Sequence, residues 1–161
     1  MEILLDQNGY NEFMQELDNL KETLLKNALD GSESFRNDPG NGWHDNFLFE
    51  ESMRNEKKIS KQIEDMFEES KRLKIIKEIK TEDNIVKIND LITLEFNYPN
   101  GNKEIDALKI TGKYKPNIDE ETMVVTLNSP IGKAIYHKQI YDEIHYFVND
   151  KKINKKILKK N

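Results

Sequence analysis

The chain has 161 residues, 36% of them hydrophobic and 34% charged, with a formal net charge of −5 and no cysteine. That length suits one medium domain or two small ones, and that composition favours solvated helices beside a modest core. It excludes disulfides, thiol nucleophiles and cysteine metal sites, and the negative balance argues against a general attraction to nucleic acid or anionic membrane.

The charge is uneven. Residues 1–79 carry about 18 acids and 11 bases, residues 80–161 about 12 and 14, so the halves sit near −7 and +2. Two units with different electrostatic tasks, or plain surface variation, would each produce this. No apolar run approaches the ~18 residues of a membrane span. The opening Met1-Glu2-Ile3-Leu4-Leu5-Asp6 is too short and acidic for a signal peptide. A cytoplasmic protein that makes no use of a membrane is expected.

In chain order, the first pattern runs from about Tyr10 to Ala28, with Phe13, Leu17, Leu20 and Leu24 at intervals of four and three. That spacing places them on one helical face. Asn8-Gly9 predicts a turn leading in, and Asp30-Gly31-Ser32 predicts fraying at the far end. The turn Asp38-Pro39-Gly40-Asn41-Gly42-Trp43-His44 follows. From about Asn46 to Lys77 there is neither Pro nor Gly, and Met53, Ile59, Ile63, Met66, Phe67 and Leu73 are candidate seam residues. About 32 helical residues would extend about 48 Å. A helix that long with so narrow a stripe pairs with another helix, and the first segment is the nearest, which predicts an antiparallel hairpin.

From about Asn84 the pattern turns strand-like: Ile85 to Ile88, Leu91 to Phe96, Ala107 to Ile110, Met123 to Leu127 and Ile144 to Val148. Tyr98-Pro99-Asn100-Gly101-Asn102 is a turn signal, and a short helix is expected over Gly132 to His137. The closing Lys151-Lys152-Ile153-Asn154-Lys155-Lys156-Ile157-Leu158-Lys159-Lys160 combines a last strand with a basic tail. The expected fold class is α+β, a helical hairpin over residues 1–79 and a β-rich unit with an antiparallel sheet over 80–161.

This order resembles the bacterial Gre transcript-cleavage factors in three places. Gly9-Tyr10-Asn11-Glu12-Phe13-Met14-Gln15-Glu16-Leu17-Asp18-Asn19-Leu20-Lys21 is similar to the family's opening helix. Asp45-Asn46 is similar to the Glu-Asn at its hairpin tip. Asn128-Ser129-Pro130-Ile131-Gly132-Lys133-Ala134-Ile135, continuing through Ile144, is similar to its C-terminal signature. The resemblance implies an FKBP-like C-terminal domain docking on the rim of the RNA polymerase secondary channel, with Asn128, Ser129 and Pro130 as docking residues. It implies a hairpin reaching the active centre, where the acidic tip helps hold a second Mg²⁺ and the polymerase hydrolyses its own backtracked RNA. The factor would then be a monomer, not an enzyme alone, with no stably bound cofactor beyond sharing the polymerase's Mg²⁺ through Asp45.

The tip departs from the family pattern Gly-Asp-x-x-Glu-Asn. Gly40-Asn41-Gly42-Trp43-His44-Asp45-Asn46 holds one extra residue, Asn41 or Gly42 stands for the first acid, and Asp45 for the second. Asp is shorter than Glu by one C–C bond, ~1.5 Å, and a misplacement of ~1 Å costs ~10²-fold in rate. Either the extra residue restores the reach, with Asp38 supplying the missing charge, or the protein occupies the channel without efficient cleavage.

Plainer roles stand beside these. Asp45 and Asn46 suit an N-cap, and Trp43 and His44 suit packing against Phe47 and Phe49. Arg36, Arg54, Lys57, Lys58 and Lys61 either contact the RNA 3′ end or pair along the helix. The six closing lysines are either solvated or attract an acidic surface or nucleic acid. His44, His137 and His145 lie too far apart in sequence to suggest zinc. An FKBP-like fold alone does not confer prolyl isomerase activity.

Overall fold

In the computed structural model, residues 2–36, 47–77, 83–97, 101–116 and 122–160 are described. They divide into two compact units, Phe13–Arg72 and the combination of Met1–Glu12 with Leu73–Asn161. This differs from a division at residue 79. The opening residues and those after Arg72 join the β-rich unit because strand β1 (Ile3–Leu5) pairs in parallel with β2 (Leu73–Ile75).

The fold is α+β, with a helical hairpin and an antiparallel-rich sheet. Helix α1 spans Gln7–Arg36 and α2 spans Phe47–Ser70. The first begins earlier than expected because Asp6 caps it. The Asp6 carbonyl accepts from Tyr10 N–H (3.0 Å) and its carboxylate from Gly9 N–H (2.6 Å). Asn8-Gly9 is therefore helical rather than a leading turn. Gly9 is required there, since a Cβ would stand 2.3 Å from the Gly112 carbonyl oxygen. Asp30-Gly31-Ser32 also lies inside α1.

Ser52 Oγ donates to the Asn27 carbonyl at 2.9 Å. In an antiparallel pair, one heptad from that bond sets Leu20 level with Ile59, and a second sets Phe13 level with Met66. Burial follows this register. Phe13, Leu17 and Met66 are buried, and Leu20, Leu24, Ile59 and Ile63 half-buried, while Leu25, Leu29 and Met53 are exposed. Two expected seam residues lie elsewhere. Phe67 is exposed with the Lys71 ammonium 5.0 Å from its ring centre, and Leu73 belongs to β2. α2 ends at Ser70 because a turn at Lys71-Arg72 gives way to a strand that can pair with β1.

The main sheet has strands β3 (Leu91–Asn97), β4 (Lys103–Thr111), β5 (Met123–Thr126), β6 (Glu143–Val148) and β7 (Lys151–Lys160), in the order β5-β4-β3-β7-β6. All neighbours are antiparallel except β4 and β5, which are parallel. Helix α3, Pro130–Ile135, supplies Ile135 to a core shared with Ile92, Leu94, Leu108, Ile110 and Ile157. Ile85 to Ile88 is not a strand. Val86 and Ile88 are buried, but its pairing is one bridge from Ile85 to Gln139 with bonds around Val86. Asn149 (φ 48°) and Asp150 (φ 62°) are left-handed and join β6 to β7, which is the two-residue turn that matches strand twist.

The lysine-rich end is no tail. It is β7, a central strand with Ile157 fully buried and one extra residue accommodated where β3 shifts register between Thr93 and Leu94.

Candidate functional site

Each residue of Asn128-Ser129-Pro130-Ile131-Gly132 has a local task. Leu4 N–H donates to Asn128 Oδ1 (2.9 Å) and Asn128 Nδ2 donates to the Leu4 carbonyl (3.0 Å). One amide side chain thus covers the edge of β1, whose neighbouring Leu5 carbonyl is taken by Ile76 N–H (2.8 Å). Ser129 caps α3: its Oγ accepts from Gly132 N–H (3.0 Å) and donates to the Thr126 carbonyl (2.7 Å).

Pro130 opens α3, where a missing N–H costs nothing. Gly132 must lack a Cβ, which would fall 2.1 Å from the Thr126 carbonyl oxygen. Ile135 is buried and Ile131 packs on the core. Pro130 and Lys133 face solvent. The side chains of Asn128 and Ser129 are committed inward, so the surface they offer is the fixed shape of the loop. Sequence reading missed the clamp on β1, because nothing in the motif points to a partner 124 residues away.

The tip residues Asp38, Asn41 and Asp45, with Trp43, His44 and Asn46, lie outside the described residues. The chain enters that segment after Arg36, the last residue of α1, and leaves it at Phe47, the first of α2. Along α2, Arg54 pairs with Glu50 (2.9 Å), and Lys61 with Glu64 (3.1 Å) and Asp65 (2.9 Å). The bonds to Asp65 and then Glu64 raise the Lys61 pKa above its ordinary value. Lys57 and Lys58 are exposed and have no ion-pair partner among the described residues.

Among the described residues no three His, Cys, Asp or Glu side chains gather as a metal site. His137 stacks on Tyr136 with ring centres 4.0 Å apart, and His145 stands on β6. A depression of about 360 Å³ opens over β6 and β7, lined by Glu143, His145, Lys152, Asn154 and Lys156 among others. Its lining holds no Phe, Tyr or Trp, so it is not an aromatic pocket for a prolyl peptide. No described helix is long and apolar enough to cross a membrane.

No protein-family model and no curated protein matches the chain. Solved structures do. GreA factor homolog 1 (Gfh1) of Thermus thermophilus aligns at 19% identity over 100% of this chain and 99% of its own, with a TM-score of 0.44. Gfh1 of Thermus aquaticus aligns at 18% identity over 99% and 98%, with a TM-score of 0.43. The GreA/GreB elongation factor of Nitrosomonas europaea aligns at 12% identity over 100% and 98%, with a TM-score of 0.41.

Proposed function

We propose that this chain is a Gre-like transcription factor that docks its β-rich unit on RNA polymerase, places its two-helix arm in the secondary channel, and promotes cleavage of backtracked RNA. The observation that supports this most is the organisation of unit Phe13–Arg72. Most of the 30-residue α1 and all of the 24-residue α2 belong to it, and they flank one short acidic segment of the sequence. In the sequence Asp45 directly precedes Asn46 and α2, between the two helices. In this reading that carboxylate works within another molecule.

The β-rich unit is, in this reading, the FKBP-like docking body, with the loop shaped by Asn128, Ser129 and Pro130 meeting the channel rim. The donor chemistry of the tip fits a shared ion. Mg²⁺ takes oxygen ligands and keeps several waters, so one delivered carboxylate completes a weak site without a cage of its own. When bound, the ion activates water and stabilises charge on phosphoryl oxygens. Asp45 supplies the carboxylate, Asn41 and Asp38 adjust hydrogen bonding and charge beside it, and the hydrolytic centre belongs to the polymerase.

The test is a cleavage assay on stalled elongation complexes. Shortened RNA that appears with the protein and disappears with Asp45→Ala supports the proposal. A second reading, a channel-occupying regulator that does not stimulate cleavage, is favoured by Asn41 or Gly42 standing where the family pattern has its first acid. It predicts competition with an authentic cleavage factor and no shortened RNA. Failure to bind polymerase overturns both.

A further inference from the structure

The main sheet sorts its charges by face. Side chains alternate along strands, so paired residues share a face. The inner face carries Ile92, Leu94, Leu108, Ile110 and Ile157, and of the three β7 lysines in that register, Lys151, Lys155 and Lys160, the last two are neutralised. Lys155 meets Asp106, and Lys160 meets Asp90 (3.2 Å) and the Ile85 carbonyl (2.7 Å).

The outer face is different. Register places Lys159 beside Thr93, Lys156 between Glu95 and Glu143, Asn154 beside His145, and Lys152 beside Phe147. Lys103 and Lys109 of β4 share this face. Glu95 pairs with Lys103 at 3.1 Å. Lys109, Lys152, Lys156 and Lys159 have no ion-pair partner among the described residues. Against a chain of net charge −5, this is a local excess of positive charge.

Between the lysines stand two exposed rings, Phe147 at 57% exposure and His145, beside the depression over β6 and β7.

We infer that this outer face binds a single-stranded polynucleotide. Unpaired ammonium groups alternating along a strand, with an aromatic ring among them, combine backbone attraction with a base-stacking platform. The face carries lysine and no arginine, whereas protein–protein interfaces are depleted in lysine and enriched in arginine. The exposed Phe147 ring among the lysines offers a stacking platform to unpaired bases, which favours a single strand over a duplex. The inference is independent of polymerase docking and of the tip.

The test uses the full chain and a fluorescently labelled oligouridylate of ~12 nucleotides, followed by anisotropy over a range of salt concentrations. Binding at low salt is expected, and the triple change K152Q/K156Q/K159Q should reduce the slope of log K against log salt by about 2, at roughly 0.7 per phosphate contact. F147A should weaken binding about tenfold with the slope retained. Circular dichroism establishes that each variant is folded. The same charge loss in the helical unit Phe13–Arg72, K21Q/K26Q/K71Q, should leave the slope unchanged.

Oligodeoxythymidylate binding as well supports the inference through the shared phosphates and base faces, and binding of RNA alone supports it with the ribose also read. Absence of binding at low salt, an unchanged slope in the sheet variant, or a reduced slope in the helix variant overturns it. Polyglutamate displacing the oligonucleotide as well as unlabelled oligouridylate does so too, since the face would then suit an acidic protein.

Discussion

Asn128→Ala removes both hydrogen bonds between that side chain and the backbone of Leu4. Each bond contributes about 0.5–1.5 kcal/mol, and a buried donor or acceptor left without a partner costs about 1–3 kcal/mol. The groups are part-buried, so water recovers some of this, and a local loss of about 2 kcal/mol is expected. β1 has three residues and one neighbouring strand, which leaves little to hold it when the clamp goes. Amide hydrogen exchange reads this directly. At 1.4 kcal/mol per tenfold, Leu4 and Ile76 N–H should exchange roughly 30-fold faster, whereas Leu127 N–H, bonded to the Thr111 carbonyl (3.1 Å), should not change. Asn128→Asp sharpens the test. A carboxylate accepts from Leu4 N–H but repels the Leu4 carbonyl, so the protonated acid is favoured in the folded state and the folded pKa is raised. The deficit is therefore full above that raised pKa and fades as pH falls towards the ordinary aspartate value, ~3.9. A Leu4 amide equally protected in the wild type and Asn128→Ala would refute the clamp.

Two glycine substitutions probe close backbone contacts. Gly132→Ala, with its Cβ 2.1 Å from the Thr126 carbonyl oxygen, and Gly9→Ala, 2.3 Å from that of Gly112, should each destabilise the β-rich unit by about 1–3 kcal/mol in urea unfolding. The control Gly101→Ala has open space and only its positive φ of 85° to contend with, so about 1 kcal/mol is expected. Asp150→Gly should stabilise the β6–β7 turn by a few tenths of a kcal/mol, because glycine accepts φ 62° without strain. Ile157→Ala should cost about 2–5 kcal/mol, as expected of a fully buried core side chain.

The helical hairpin was legible because Phe13, Leu17 and Leu20 recur at helical spacing and Ile59, Ile63 and Met66 answer them. Helix ends were less so. Leu73 continues the apolar stripe of α2 in sequence, yet pairing with Ile3 makes it a strand. That contact depends on residues at opposite ends of the helical segment, which local periodicity does not register. Lys151 to Lys160 looked half tail because six lysines dilute its alternation. The strand is fixed by two flanking partners and by Lys155 and Lys160, whose charges are matched by Asp106 and Asp90 in remote parts of the chain. The signature Asn128-Ser129-Pro130 stood out in the sequence, but its hydrogen bonds run within the chain, to Leu4, Thr126 and Gly132, and show how the loop is built. Asp38, Asn41 and Asp45 were picked out by their place between two helical patterns and by the resemblance of that segment to a family tip, and they lie outside the described residues.

The central proposal is that the tip of the arm reaches the catalytic ion of RNA polymerase. Replacing that Mg²⁺ with Fe²⁺ in a backtracked complex and generating hydroxyl radicals would cut whatever chain lies beside it. With end-labelled protein, cleavage should centre on residues 38–46 and disappear when an authentic cleavage factor competes. Cleavage confined to the β-rich unit, or none while the protein remains bound, would contradict the proposal.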